Sequence, residues 1–278
     1  MIRVAVFGAA GRMGATLCTA IAEADDLDLV AAVDPAAAGR MIGDVVGIAG
    51  TSIVGPAALV EVVADAQGVE ASGAQVAVDF TVAGSARENL AWCAENGVHA
   101  VCGTTGLTID DRAELQRLFG DSTSPNCVLA ANFSIGAVLM MRCAELCAPY
   151  LDGVEIIELH HDRKRDAPSG TSLETARRIE AARAEHATVG VLAADPTEQV
   201  TLEGTRGGVL EGGVRVHSVR LPGLVAHQEV IFGSLGETLT IRHDSFDRAS
   251  FMPGVLLATR RVGDTPGLTI GLERLLGL

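Results

Sequence analysis

The fold is decided by residues 2–14, Ile2-Arg3-Val4-Ala5-Val6-Phe7-Gly8-Ala9-Ala10-Gly11-Arg12-Met13-Gly14. A short β-rich run stops at a glycine-rich loop, after which Leu17, Ile21 and Ala24 repeat at helical spacing. Strand, loop and helix stand in the order a dinucleotide-binding fold requires. Gly8 permits the tight turn, Gly11 lets a pyrophosphate approach the loop amides around Ala9, Ala10, Arg12 and Met13, and Gly14 lets the helix pack closely. The spacing is G-x-x-G-x-x-G and not G-x-G-x-x-G, so the loop alone is a weak signal, and the strands downstream of it carry the weight.

A second strand, Leu27 to Val33, ends in Asp34, twenty residues after Gly14, where an acid can hydrogen-bond an adenosine ribose. Further βα units come next: Val76 to Phe80, a helix from Gly84 to Glu95, Val98 to Cys102, a helix from Asp110 to Phe119, and Val128 to Ala131. This alternation predicts an α/β, Rossmann-type, doubly wound parallel sheet. Between Pro35 and Gly73 the pattern is loose, with one helix expected from Ala57 to Ala66. Ligands of such sheets bind beyond the carboxyl ends of strands. Three strands end in polar or glycine-rich turns, Asp79-Phe80-Thr81, Gly103-Thr104-Thr105-Gly106 and Asn132-Phe133-Ser134, and of these regions Gly103-Thr104-Thr105 and Ala130-Ala131-Asn132-Phe133 are candidate cofactor contacts, although Gly, Thr and Asn are also ordinary loop residues.

A helix from Ile135 to Leu151 leads into the stretch with the densest chemistry, Glu158-Leu-His-His-Asp-Arg-Lys-Arg-Asp-Ala-Pro-Ser-Gly-Thr171. The apolar run at Val154, Ile156, Ile157 and Leu159 predicts a strand with His160 and His161 at its end. Thr171 and Glu174 have the offset of a capping box, which places Ser169, Gly170 and Thr171 at a helix start suited to a small anion. Imidazoles that pass protons near neutral pH then stand beside Lys164, which can hold a carboxylate or act as an acid. Neighbouring strand residues face opposite ways, so geometry alone lets one histidine look into a given pocket. No metal is expected, because His-His lacks the i, i+4 spacing of helical ligands and Arg163, Lys164 and Arg165 repel a cation.

Beyond the helix from Thr171 to Glu185 come short strands at Val189 to Leu192, Val200 to Leu202, Val214 to Arg220, Val225 to Phe232 and Leu239 to His243, separated by glycine-rich turns. They predict a second α+β domain with a mixed or antiparallel sheet. Arg248 to Arg261 returns to helical character and is expected to pack on the first domain, giving 1–134 plus 249–278 as the dinucleotide-binding domain and 135–248 as the second.

With 278 residues, 48% hydrophobic and 20% charged, the chain reads as globular and long enough for two domains. A net charge of −14 makes nucleic acid and anionic membranes poor partners. The six cysteines read as buried thiols in a reducing compartment, and the start of the chain reads directly as a strand, so a cytoplasmic protein is expected.

With these residues in hand, the sequence resembles the 4-hydroxy-tetrahydrodipicolinate reductase (dihydrodipicolinate reductase) family over essentially its whole length. The most specific part is His160 to Thr171, which matches the family's H-H-x-x-K-x-D-A-P-S-G-T, and the Gly8 to Gly14, Gly103 to Gly106 and Ala130 to Ser134 segments match in the same order. The resemblance implies reduction of a cyclic dicarboxylate by NADH or NADPH, with loss of water, in diaminopimelate and L-lysine biosynthesis. It implies His160 as proton donor or acceptor, Lys164 as second proton donor, and His161, Ser169, Gly170 and Thr171 as substrate contacts. It also implies a homotetramer assembled through the second domain. Some members carry an arginine after the acid that ends the second strand, where this chain has Pro35, which leaves the choice between NADH and NADPH open. A reductase of another small dicarboxylate, or a dinucleotide-sensing protein without catalysis, would share the two-domain plan; the sensor would not need the His160, Lys164 and Thr171 constellation.

Overall fold

Val4, Ala5, Val6 and Phe7 are all buried in strand β1 (Ile2–Phe7), as expected of a parallel strand covered on both faces. In this computed structural model, which describes all residues except 49, 51, 121–124, 187–191 and 193–194, the chain divides into two compact units. The first comprises Met1–Ile135 with Phe251–Leu278, and the second Gly136–Ser250.

The first unit runs β1, α1 (Arg12–Ala22), β2 (Leu27–Val33), α2 (Ile42–Ile48), β3 (Val62–Val63), β4 (Val76–Asp79), α3 (Ala83–Glu95), β5 (His99–Cys102), α4 (Ile109–Phe119) and β6 (Cys127–Leu129). Among the described residues, and with β12 (Leu268–Ile270) from later in the chain, its seven strands are ordered β12-β6-β5-β4-β1-β2-β3 with every pair parallel. On one face, Ala5, Phe7, Ala77, Ala100 and Cys102 pack with Leu90 and Cys93 of α3 and Leu115 and Phe119 of α4. The alternate residues Val4, Val6, Val78, Val101 and Val128 are equally buried, as the double winding requires. Order reverses between β1 and β4, and ligands of open α/β sheets bind at such a switch point.

In the second unit, α5 (Ile135–Cys147, whose first residue belongs to the first unit) is followed by β7 (Gly153–His160), α6 (Gly170–Glu185), β8 (Gly208–Val209), β9 (Arg215–Arg220), β10 (Ala226–Ser234) and β11 (Glu237–Ser245). The sheet is mixed, ordered β11-β10-β7-β9-β8, with β7 and β9 parallel and the other pairs antiparallel. Val154, Ile156, Val216, Val230 and Phe232 pack on Ala144, Ala148, Ala176 and Ile179 on one face. The chain then returns to the first unit through α7 (Met252–Arg261), β12 (Leu268–Ile270), which joins β6, and α8 (Glu273–Leu276).

Several expectations need correction. No helix spans Ala57 to Ala66: Pro56–Leu59 form a single 3-10 turn, and Val62–Val63 become the sheet edge because β-branched residues suit a pleated, half-buried surface. The expected helix to Leu151 stops at Cys147, with Pro149 in the 3-10 turn that comes after it. Val200 to Leu202 is irregular, with both Val200 and Leu202 exposed, so it has no apolar face to bury in a sheet. The strand expected at Val189 to Leu192 falls almost wholly outside the described residues. Cys143 is exposed and Cys147 half-buried, because the helix turns that stripe away from the core, while the other four cysteines are buried. Burial pushes the Cys18 and Cys102 thiols up to about 12, which leaves them unreactive near neutrality.

Candidate active site

In the first unit, the glycine loop links β1 to α1. Gly8 has a φ of +75°, a conformation L side chains rarely adopt, and Gly11 is the N-cap of α1. A Cβ on Gly14 would lie 2.0 Å from the Gly8 carbonyl oxygen, so the helix start sits directly on the loop. Arg12 and Met13 open α1 behind the loop, with Arg12 exposed, while Ala9 is buried. Asp34 follows β2 and braces the loop. Its Oδ2 accepts a hydrogen bond from the Ala10 amide at 3.0 Å and its Oδ1 accepts from Ala36 at 3.0 Å. Each carboxylate oxygen has two lone pairs, so a ribose hydroxyl can still be accepted.

Gly103, Thr104 and Thr105 follow β5, and Ala130 to Phe133 follow β6. A Cβ on Gly103 would come 2.1 Å from the Phe80 ring, which itself packs edge-on against Phe133 with centroids 5.7 Å apart. Thr105 and Ala131 are exposed, and the Asn132 side chain accepts from the Ser134 amide at 2.8 Å. Thus the sequence-predicted cofactor residues of this unit all stand at the carboxyl ends of parallel strands. A glycine loop on a helix N-terminus, with an acid after the second strand, fits a dinucleotide.

Sequence reasoning placed Asp79 in a polar strand-end turn but missed that it ties these turns together. Asp79, at the end of β4 and 1% exposed, accepts from Thr104 Oγ1 at 2.7 Å, Thr81 Oγ1 at 2.8 Å, the Thr81 amide at 3.0 Å and Asn89 Nδ2 at 2.8 Å. An acid at a strand end was visible in the sequence; its partner in a different turn, 25 residues on, was not.

In the second unit, β7 delivers His160 at its last position, with the side chain 15% exposed, and His161 begins the turn. His161 Nδ1 accepts from the Arg163 amide at 3.2 Å. In the neutral ring the proton therefore sits on Nε2. Lys164 Nζ donates to both oxygens of Asp166, at 2.9 and 2.8 Å, and this bond holds the Asp166 carboxyl below its ordinary range. The Ala167–Pro168 peptide is cis.

The helix start differs from the capping box expected at Thr171 and Glu174. Ser169 is the N-cap: its backbone is extended and its Oγ accepts from the Ser172 amide at 3.2 Å, while Glu174 pairs with Arg178. Gly170 and Thr171 are the first two helical residues, and a Cβ on Gly170 would meet nothing within 4 Å. The turn thus ends on a helix N-terminus whose amides and dipole favour an anion, with Lys164 in the same turn.

Beneath His160 lies Glu158, fully buried and bonded to both His160 and Arg220. Its position two residues before His160 puts both on one face of the strand, a signal present in the sequence, whereas Arg220 arrives from β9, 62 residues on. Among the described residues, no group of three or more His, Cys, Asp and Glu side chains is arranged to hold a metal ion.

Known proteins share this plan. The family profile described as "Dihydrodipicolinate reductase, N-terminus" matches residues 2–133, and "Dihydrodipicolinate reductase, C-terminus" matches 136–276. A 4-hydroxy-tetrahydrodipicolinate reductase of Cutibacterium acnes is 49% identical over 278 residues, covering 100% of both chains. One from Streptomyces griseus is 48% identical over 277 residues, covering 100% of this chain and 98% of its own. A dipicolinate-bound dihydrodipicolinate reductase from Paenisporosarcina sp. TG-14 superposes with a TM-score of 0.81 at 38% identity, over 99% of each chain. An amine dehydrogenase of Mycobacterium smegmatis, at 17% identity and a TM-score of 0.62, shares the fold. With both halves of the family pattern in place along the chain, this protein belongs to the dihydrodipicolinate reductase family.

Proposed function

We propose that this chain reduces 4-hydroxy-tetrahydrodipicolinate to tetrahydrodipicolinate in diaminopimelate and L-lysine biosynthesis with His160 and Lys164 as its proton-handling groups. The activity is that of an NAD(P)H-dependent oxidoreductase of this family. In the net reaction one hydride and one proton enter the ring and one water leaves.

The observation that carries the residue assignment is the turn after β7. His160 is tied through Nδ1 to an ionised carboxylate, which leaves Nε2 as the nitrogen that exchanges a proton. Lys164 is held on Asp166, a carboxylate that a substrate carboxylate can replace. The start of α6, from Ser169 to Thr171, receives an anionic group, and His161 adds a neutral Nε2–H donor. Two anion-receiving groups suit a flat dicarboxylate, the class to which the dipicolinate in the Paenisporosarcina structure belongs. Bound on the first unit through Gly8 to Met13, Asp34, Gly103 to Thr105 and Ala130 to Phe133, NADH or NADPH supplies the hydride. Residues 1–134 with 249–278 are the dinucleotide domain in this reading, and 135–248 the substrate and assembly domain.

The experiment is oxidation of NADH and NADPH, followed by absorbance, with freshly generated 4-hydroxy-tetrahydrodipicolinate. Turnover expected of the wild type, lost in His160→Ala and Lys164→Ala, supports the assignment. A protein that binds dinucleotide without turnover would be a sensor, and turnover only with a different dicarboxylate would mark another reductase.

A homotetramer is part of the same proposal. The face of the second sheet opposite α6 carries Ile157, Leu159 and Ile231 half-buried among Glu155, Glu229 and Arg242, an apolar strip with charged flanks suited to a copy of itself. Cytoplasmic location is supported by six free thiols, and among the described residues no helix is long and apolar enough to cross a membrane.

A further inference from the structure

On β7, residues 158 and 160 face the same side of the sheet, and His160 Nδ1 lies 2.5 Å from Glu158 Oε2. Arg220 grips the same carboxylate as a fork, Nη1 to Oε2 and Nη2 to Oε1, both at 2.8 Å, while the Ser169 amide donates to Oε1 at 3.3 Å. The parallel register places Ser218 beside Glu158 and Arg220 beside His160. Arg220 is itself anchored, donating from Nη2 to the Asp166 carbonyl at 2.7 Å and from Nη1 to the Val219 carbonyl at 2.8 Å. The clamp therefore connects the buried carboxylate to the turn that carries Lys164.

An ionised carboxylate only accepts hydrogen bonds. Burial raises the Glu158 carboxyl pKa, but hydrogen bonds from His160, Arg220 and Ser218 outweigh it and hold the group at about 2. Gln228, opposite Glu158 on β10, is neutral and occupied by Ser172 and Thr175. The charged groups around this carboxylate are thus Arg220, His160 when protonated and, through the turn, the Lys164–Asp166 pair.

We infer that Glu158, clamped by Arg220, is a positioning residue for proton transfer: it keeps His160 with a proton on Nδ1, so that Nε2 alone exchanges a proton with the substrate. This rests on the proposed role of His160. Burying a carboxylate beneath a strand-end histidine gains little for folding compared with apolar packing of the same volume. Its geometry does, however, set which ring nitrogen is reactive.

The test is ¹⁵N–¹H correlation of histidine side chains, with the His160 signals identified by their loss in His160→Gln. The wild type is expected to show neutral His160 as the Nδ1–H tautomer. In Glu158→Gln the amide oxygen is best placed toward Arg220 Nη2 and the Ser169 amide, where it meets two donors. The amide NH₂ then faces His160 Nδ1 and turns the ring to the Nε2–H tautomer. Turnover should fall ~10²- to 10⁴-fold, the range of a general acid or base, with KM for NADH unchanged. If Glu158→Gln fails to give a folded protein by circular dichroism, the paired change Glu158→Met with Arg220→Met leaves no lone buried charge and no acceptor for His160 Nδ1, and should still lose turnover. An Nε2–H tautomer in the wild type, or near-normal turnover in a folded Glu158 variant while His160→Gln is inactive, would overturn the inference. Full activity of His160→Gln would instead refute the role of His160 itself.

Discussion

His160 and Lys164 differ in what holds them, and that difference sets what each substitution should do. His160 rests on a buried carboxylate, whereas Lys164 rests on Asp166, whose side chain is 62% exposed and easily exchanged for a ligand. His160→Ala and Lys164→Ala should each lower kcat by ~10²- to 10⁴-fold. The glycine loop is untouched in both, so NADH affinity measured by fluorescence titration should stay near the wild-type value. Asp34, proposed to meet the adenosine ribose, bears on the cofactor choice in a different way. Its charge would repel a ribose 2′-phosphate by ~1 to 4 kcal/mol at contact distance, while Arg12 and Arg40 could offset part of that. NADH is therefore expected to serve at least as well as NADPH. Because Asp34 also accepts the Ala10 amide, Asp34→Asn is the cleaner probe: it keeps an acceptor and removes the charge. The ratio of kcat/KM for NADPH over NADH should rise about fivefold or more, the equivalent of the lower repulsion figure. Removing metal by dialysis against a chelator should leave activity unchanged, and a loss restored by one divalent ion would contradict that reading.

Among the elements, α1 depends closely on a single atom's absence. The Gly14 Cα faces the Gly8 carbonyl so closely that an added methyl, 2.0 Å from that oxygen, must push helix or loop aside. Overpacking of this kind typically costs ~1 to 3 kcal/mol. Gly14→Ala should lower the urea midpoint accordingly and weaken NADH binding more than binding of the proposed dicarboxylate substrate, since it displaces the loop amides while leaving β7 and α6 in place. Equal loss of both ligands in a calorimetric titration would mean that the whole chain, and not the loop, had been disturbed. In the second unit, Ser169 as the cap of α6 starts the helix at Gly170, two residues earlier than a cap at Thr171 would allow. The side chain that sets this start is buried against Ser172 and, through it, Gln228 of β10, so the cap is chosen by the sheet beneath it.

For the whole molecule, the buried Glu158 links stability to pH. Its folded pKa of about 2 lies below the ordinary carboxyl value of 4.5, so the unfolded chain binds the proton first. The stabilisation is present above pH 4.5 and is lost as pH falls toward 2, amounting to ~3 kcal/mol for a shift of this size. Urea midpoints of the wild type should therefore drop across that window. In Glu158→Gln the drop should be smaller by about that amount, and a parallel pH dependence in the two proteins would remove Glu158 as its source. Sedimentation equilibrium should return four times the chain mass, and Ile157→Glu, which places a charge in the apolar strip of the second sheet, should shift it toward smaller species.

Local pattern was enough to place most of the strands, helices and turns. Apolar periodicity over a window of ten or so residues identifies β1, α1, β2, β4, β5 and β7, because each must bury a face whatever its neighbours are. The glycine loop and the His160 to Thr171 motif were legible for a related reason: a turn with special backbone geometry and a cluster of unlike charges are both local facts. The misreadings came where local preference was weak. The 57–66 region became a 3-10 turn and an edge strand only because β2 offered it a partner, and β8 and β12, at two and three residues, exist only as additions to existing sheets. The site's supports were likewise decided in three dimensions. Asp79 finds Thr104 across neighbouring strand ends, and Glu158 finds Arg220 because β7 and β9 pair in one register out of many, a choice settled by the shared core of Ile156, Val216 and Ile179. Side chains that must act are written into short stretches of this sequence, whereas the buried groups that orient them depend on non-local strand pairing, which no short stretch contains.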